Sequence, residues 1–260
     1  MARSFSGGTT NTEHLFGSGQ QFLAGATAFT IHAWIRRIGT LTAYGTIVDT
    51  KNAANDYQAG LDFANPTTAD IIRGGFQDSL SSLYVAEGAT ALTSGQWYSA
   101  CCVFGGTNVQ LYLDNTADGS PVSASGLTVK TISSPNIYIG RNVPGSNAAF
   151  PGDVAEISVW DAALNSSERA ALARGVRASK IRPGNLQRYW RIDGLESPEP
   201  DDITHTTIAL TGSPTPSQAN HAPVTLFTPK QIIVSAETMG AFNPSWAIGS
   251  NHLIGDGFVY

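Results

Sequence analysis

The sequence predicts an all-β fold, an antiparallel two-sheet sandwich carrying one short helix and ending in an extended arm. Three observations predict it. Short runs of alternating apolar and polar residues recur from Phe5 to about Leu210, the pattern of strands half buried on one face. Turn-forming residues separate these runs at short intervals, 27 glycines among them. Only 13% of residues are charged while 42% are hydrophobic, so the surface is polar without being charged and the core is of ordinary size. A length of 260 residues suits one main sandwich.

Taken in order, the run 29–37 places Phe29, Ile31, Ala33 and Ile35 on one face and Thr30, His32, Trp34 and Arg36 on the other, a strand with a single apolar face. Strands are expected next at 45–49, 57–63, 71–76 and 82–87. The run 97–104 is apolar on both faces and belongs in the centre of the sandwich, covered on both sides. After a Gly105-Gly106 turn, 108–114 alternates with Val109, Leu111 and Leu113 inward, which makes the pair a hairpin. Further strands are expected at 136–141 and 153–160. A helix follows over 164–175, capped by Asn165 with Glu168 three residues on and stopped by Gly175. Strand character returns at 186–192 and, after an acidic loop at 193–202, at 206–210.

Residues 211–223 are rich in Gly, Ser, Pro and Thr and read as a connector. Beyond them, 224–260 holds two apolar pieces, 231–235 and 252–260, joined by a loop with Phe242, Pro244 and Trp246. That segment is too short for a core of its own, so its apolar groups must pack on the main domain or on another chain. The expected division is a main domain at 1–215 and a linker with assembly arm at 216–260. The arm's contact residues are Ile232, Ile233, Val234, Phe242, Trp246, Leu253, Ile254, Phe258 and Val259.

Net charge is −5 and lysine occurs only at Lys51, Lys130, Lys180 and Lys230, so no basic stripe tracks a phosphate backbone and nucleic-acid binding is not expected. The arginines Arg169, Arg174, Arg177, Arg182, Arg188 and Arg191 read as a solvated helix and loop. The N-terminal residues lack the apolar stretch of a signal peptide and no window is long and apolar enough to span a membrane, which predicts a protein made in a cytoplasm. Cys101 and Cys102 are adjacent in a strand and read as buried thiols pointing to opposite faces.

Trp34, Trp97, Trp160 and Trp190 lie in strand runs and read as core groups tying two sheets together. Stacking platforms for sugars come more naturally from Tyr44, Tyr57 or Tyr84. Glu196, Glu199, Asp201 and Asp202 read as a solvated acidic loop. The histidines His14, His32, His205, His221 and His252 lack metal-ligand spacing, and neither a nucleophile elbow nor a phosphate loop is present.

Six pieces in order carry a family resemblance: FTIHAW at 29–34, LTSGQWY at 92–98 leading to LYLD at 111–114, IYIGR at 137–141, FPGDVAEISVWDAAL at 150–164 with its capped helix, YWRIDG at 189–194, and SPEPD at 197–201. Together they resemble the LamG-like jelly roll of the concanavalin A-like lectin/glucanase superfamily over roughly 1–215. The resemblance implies a two-sheet jelly-roll sandwich. Relatives often hold calcium at one edge; here Phe5, Ser6 and Gly7 stand where many carry an Asp-containing motif, which weakens that site and leaves Asp153, Glu156 and Asp62 as the candidate ligands. No resident cofactor is otherwise expected. The run of carboxylates that a glucanase of this fold places on one strand is missing, so no enzyme is expected.

The expected function is a structural component of a virus particle, a phage capsid decoration or fibre protein on the virion surface. It would dock through its arm to other copies of itself and to a capsid or tail scaffold protein. The alternative is a lectin-like adhesion module binding surface glycans. Neither reading involves a membrane.

Overall fold

In the computed structural model the described residues are 2–8, 13–39, 45–63, 70–141, 148–212, 215–217 and 222–224. Their strands are β1 (Ala2–Gly8), β2 (His14–Ser18), β3 (Phe29–Arg37), β4 (Gly45–Lys51), β5 (Tyr57–Phe63), β6 (Ile72–Gln77), β7 (Leu83–Glu87), β8 (Trp97–Phe104), β9 (Asn108–Leu113), β10 (Thr116–Ser123), β11 (Asn136–Ile139), β12 (Ala148–Trp160), β13 (Leu186–Trp190), β14 (Glu199–Pro200), β15 (Thr207–Thr211) and β16 (Thr215–Ser217). The helix α1 (Ser166–Ala173) stands between β12 and β13.

These strands form the two layers of a jelly-roll sandwich. One runs β7-β6-β5-β4-β11-β2-β15-β14 and the other β10-β9-β8-β3-β12, with β1 and β13 sharing the far side of β12 and β16 pairing β1. Nearly all pairings are antiparallel, but the first residues of β12, Ala148 and Ala149, pair β4 in parallel. The longest strand thereby joins both layers. Between the layers lies one apolar core, including Phe29, Phe63, Phe76, Phe104, Phe150 and Trp190. Its aromatic centre packs Phe76 against Phe104 at 4.5 Å between ring centres, a separation at which offset rings attract beyond their buried area.

The helix forms where its caps predict. The Asn165 side chain accepts from the Glu168 N–H at 3.0 Å, Glu168 accepts in return from the Asn165 N–H at 2.8 Å, and Gly175 ends the helix at φ 84°. Leu164 and Leu172 bury against Trp160, Ala178, Ile181, Leu186 and Tyr189, a second apolar cluster outside the sandwich.

Three expectations change here. The second face of β3 is as buried as the first. Thr30 accepts from the Leu164 N–H and donates to the Ala162 carbonyl, His32 lies between Ser99 and Ser158, and Trp34 packs on Ala2, Ala155, Ala222 and Val224. The tryptophans do not act as one set: Trp190 alone joins the core between the layers, while Trp160 lies under α1 and Trp34 and the half-buried Trp97 pack on the outer side of β3. The strand expected at 153–160 starts at 148, because Pro151 keeps its carbonyl in use, accepting from the Ile38 and Gly39 N–H groups. Cys101 and Cys102 are both buried free thiols, as expected, and of the two Cys102 is the one in the core between the layers.

The main-domain contacts run past residue 215. β16 pairs Ala2–Ser4 through Thr215–Ser217, and Ala222 and Val224 pack beside Trp34. Contacts divide the chain into 1–224 and 225–260. The second unit lies outside the described residues.

Candidate functional site

Strand alternation puts Ala59, Leu61, Phe63, Ile72, Phe76 and Ala86 into the core. Their neighbours Asp62, Arg73, Gln77, Leu83 and Val85 therefore face outward from the β4–β7 end of the layer. With Lys51, Asn55 and Tyr57 they line a pocket of about 250 Å³. Two register shifts between β4 and β5 keep Lys51 opposite Tyr57, with the ammonium 5.3 Å from the centre of the tyrosine ring, within range of a cation–π attraction.

The floor is acidic. Asp49 is fully buried and lies 3.5 Å from the Lys51 ammonium, while Asp62 lies across from Arg73 on the next strand. Burial, and after it the neighbouring Asp49, hold the Asp62 carboxyl well above the usual carboxylate range; Arg73 and Lys51 oppose the shift. Asp62 Oδ1 is buried and meets no donor among the described residues. The Tyr57 hydroxyl donates to the Gly75 carbonyl at 3.3 Å, and burial followed by the two carboxylates keeps it protonated.

Gly60 makes this floor possible. A Cβ there would lie 2.2 Å from Asp49 Oδ1, 2.7 Å from the Val48 carbonyl and 2.8 Å from the Tyr57 hydroxyl. A side chain and the acidic floor cannot share the space. At the rim, Lys130 donates to Asp56 at 2.6 Å and to Ser81 at 2.9 Å, tying the β4–β5 turn to the β6–β7 turn. Across the layer, Tyr138 on β11 sits opposite Asp49 and packs on Phe16 of β2 at 5.4 Å.

The residues singled out in the sequence are dispersed. Tyr57 lines the pocket, Tyr84 stacks on Phe76 at the core edge, and Tyr44 and all nine arm residues, Ile232 to Val259, lie outside the described residues. The acidic loop is not solvated as a whole. Glu199 is buried and accepts from Arg3 at 2.7 Å, and Asp201 is buried accepting from the Tyr189, Ile203 and Thr204 N–H groups. The arginine group is not a solvated one either: Arg169 is buried over the Tyr112 ring at 3.7 Å, Arg182 grips Glu168 with two nitrogens, and Arg188 and Arg191 pair with Asp201 and Asp202. Backbone donors and buried partners outcompeted water at these positions.

None of the three calcium candidates fits a hard cation. Asp153 is held by Arg36 at 2.6 Å, Glu156 accepts from the Tyr189 hydroxyl, and Asp62 lies beside Arg73 and Lys51. Calcium requires several oxygens free of competing cations. Lys51, Arg73 and Gln77 were missed from sequence. The signal was there in the outward phase of Arg73 and Gln77 within 71–77, opposite the core residues Ile72 and Phe76.

Fold and pocket together define a lectin-like β-sandwich with a polar cleft on one outer face. The chain belongs to the concanavalin A-like lectin/glucanase superfamily, whose Laminin_G_3 model matches residues 8–168. No curated protein sequence matches it. A crystal structure of a putative carbohydrate binding protein from Bacteroides ovatus is similar with a TM-score of 0.61 at 16% identity, covering 81% of this chain and 58% of that one. The heptameric SAP-like pentraxin of Limulus polyphemus has a TM-score of 0.53 at 19% identity, over 81% and 94% of the two chains. The enzymatically active domain of bacteriophage CBA120 tailspike protein 2 has a TM-score of 0.54 at 13% identity, over 73% and 30%. The chain thus spans less than two thirds of the first of these structures and less than a third of the third. At such identities the likeness is one of fold.

Proposed function

We propose that this chain is a non-catalytic glycan-binding module and that its ligand enters the pocket over β4–β7. One observation carries the reading: acceptors and donors of Asp62, Arg73, Lys51, Asn55 and Gln77 converge on a cleft whose walls also include Tyr57, Leu83 and Val85. A sugar needs that mixture, because its hydroxyls demand paired donors and acceptors while its C–H faces need apolar cover. The lining does not suit hydrolysis. Asp62 is the one carboxyl among the described residues that line the pocket, whereas a glycosidase needs two flanking the bond it cleaves.

The test is a glycan array read alongside Leu83→Asp. Leu83 is 59% exposed, so the change leaves the melting temperature within about a degree or two while placing a charge in the pocket wall. Binding should fall by about tenfold or more. Binding that survives the substitution would move the site elsewhere.

A second reading concerns assembly, and the apolar pieces at 231–235 and 252–260 favour it. In this reading the module is a surface component of a virus particle, and the arm docks it to other copies or to a capsid or tail scaffold through Ile232, Ile233, Val234, Phe242, Trp246, Leu253, Ile254, Phe258 and Val259. A fold shared with a phage tailspike domain is compatible with that setting. Light scattering on the full chain and on residues 1–224 should give a defined oligomer and a monomer respectively. Two monomers would remove the arm's role in self-assembly.

A further inference from the structure

We infer that the β4–β7 pocket selects a sugar unit bearing a methyl group, that of a 6-deoxyhexose or of an acetylated amino sugar, over the counterpart that carries a hydroxyl in its place; this rests on the glycan-binding reading above. The pocket is two-sided. Lys51 and Asn55 at the β4–β5 turn and Arg73 on β6 give it polar walls, whereas the residues that bound it on β7 are Leu83 and Val85. These two aliphatic side chains are two positions apart on one strand and so share its outward face. Val85 stands opposite Gly75, which has no side chain to cover it, and Gly75 stands opposite Gly60. The row leads from the middle of the layer to an aliphatic end.

The C–H face of an ordinary pyranose packs on an open aromatic ring, and the described lining of this pocket offers none. Tyr57, its one aromatic residue, is only 7% exposed, with the Lys51 ammonium 5.3 Å from the ring centre and the hydroxyl committed to the Gly75 carbonyl. The accessible apolar surface is aliphatic instead. Leu83 is 59% exposed, and Leu80, three residues earlier in the β6–β7 turn, is 82% exposed; they are two of the five large apolar side chains that stand exposed among the described residues. Apolar side chains gathered in this way beside a polar cleft mark a contact surface. A methyl group set against Leu83 and Val85 leaves water without losing a hydrogen bond, while a hydroxyl there gives up its water and finds no partner on either side chain.

The experiment titrates the full chain with matched saccharides: fucosides against galactosides and rhamnosides against mannosides, each pair of one absolute configuration, and N-acetylated amino sugars against the parent hexose. The methyl-bearing member should bind about fivefold or more tighter than its hydroxyl counterpart. A preference confined to the deoxy pairs or to the acetyl pairs supports the inference and identifies the source of the methyl. Leu83→Ala and Val85→Thr should each close most of the gap, the first by removing apolar contact and the second by putting a hydroxyl into nearly the same shape. Leu83 is exposed and Val85 half-buried, so both variants should fold, and melting curves check that they do. A gap that persists in both variants, or equal or tighter binding of the hydroxyl members, overturns methyl selection and leaves the glycan reading standing. Absence of binding to any glycan, in this set and on the array, overturns both.

Discussion

Trp190→Ala should lower the unfolding free energy by about 3–5 kcal/mol, the cost of removing a large buried aromatic and leaving a cavity. Trp190 is fully buried in the core between the layers, packed with Phe22 at its edge. Domains hold only about 5–15 kcal/mol in total, so the variant should lose a third or more of its stability in a denaturant titration. Trp190→Phe should cost much less. The Trp190 indole N–H is buried with no acceptor among the described residues, and deleting an unpaired donor offsets part of the lost area. Trp160 supplies the contrast, since its N–H donates to the Ile181 carbonyl at 2.9 Å. Trp160→Phe strands that carbonyl and should cost more than Trp190→Phe. The reverse order would show that area alone governs both sites.

Acid should weaken the fold through His32. The imidazole is fully enclosed, with Nδ1 3.2 Å from Ser158 Oγ and Nε2 3.1 Å from Ser99 Oγ, and burial lowers its pKa from 6.5 to about 4. The unfolded chain takes up a proton near pH 6.5 that the folded chain refuses until about pH 4. The stability is therefore whole above pH 6.5 and is lost as pH falls toward 4, by about 3 kcal/mol in all. Asp62 and Glu156 work in the opposite direction, because their raised pKa values make stability decline as pH rises. The His32 contribution must be read as the difference between the parent protein and His32→Gln across a pH series. The gap between the two should close as pH drops from 7 to 4. A constant gap would mean that the folded state protonates His32 freely.

How much of this was legible depends on whether neighbours in sequence or neighbours in space decide a residue's fate. The strands 29–37, 57–63 and 97–104 and the cap at Asn165 and Glu168 are set by local alternation and local hydrogen bonds, and they are where the pattern put them. The strand Thr116–Ser123 went unread because Gly119 and Pro121 look like breakers; a register shift between Asp118 and Val122 absorbs them. Glu199 and Asp201 looked solvated because their partners, Arg3 and the backbone around Tyr189, come from distant sequence. The pocket had the same difficulty. Asp49 and Asp62 lie thirteen positions apart on strands whose bulges decide which side chains meet. A period-two reading of either strand alone cannot supply that pairing.

The first strand has a consequence for how the chain is made. Among the described residues β1 finds its partners only in 149–154 and 215–217, so a segment made long before its partners is among the last to be completed. At about 5–20 residues per second its pairing surface waits on the order of ten seconds for β12 to emerge. Pairing across so long a loop is also slow in itself. During that interval the edge of β1 is open to strands of other nascent chains, and Arg3, whose guanidinium is to be buried against Glu199, keeps a charge on it until the sandwich closes.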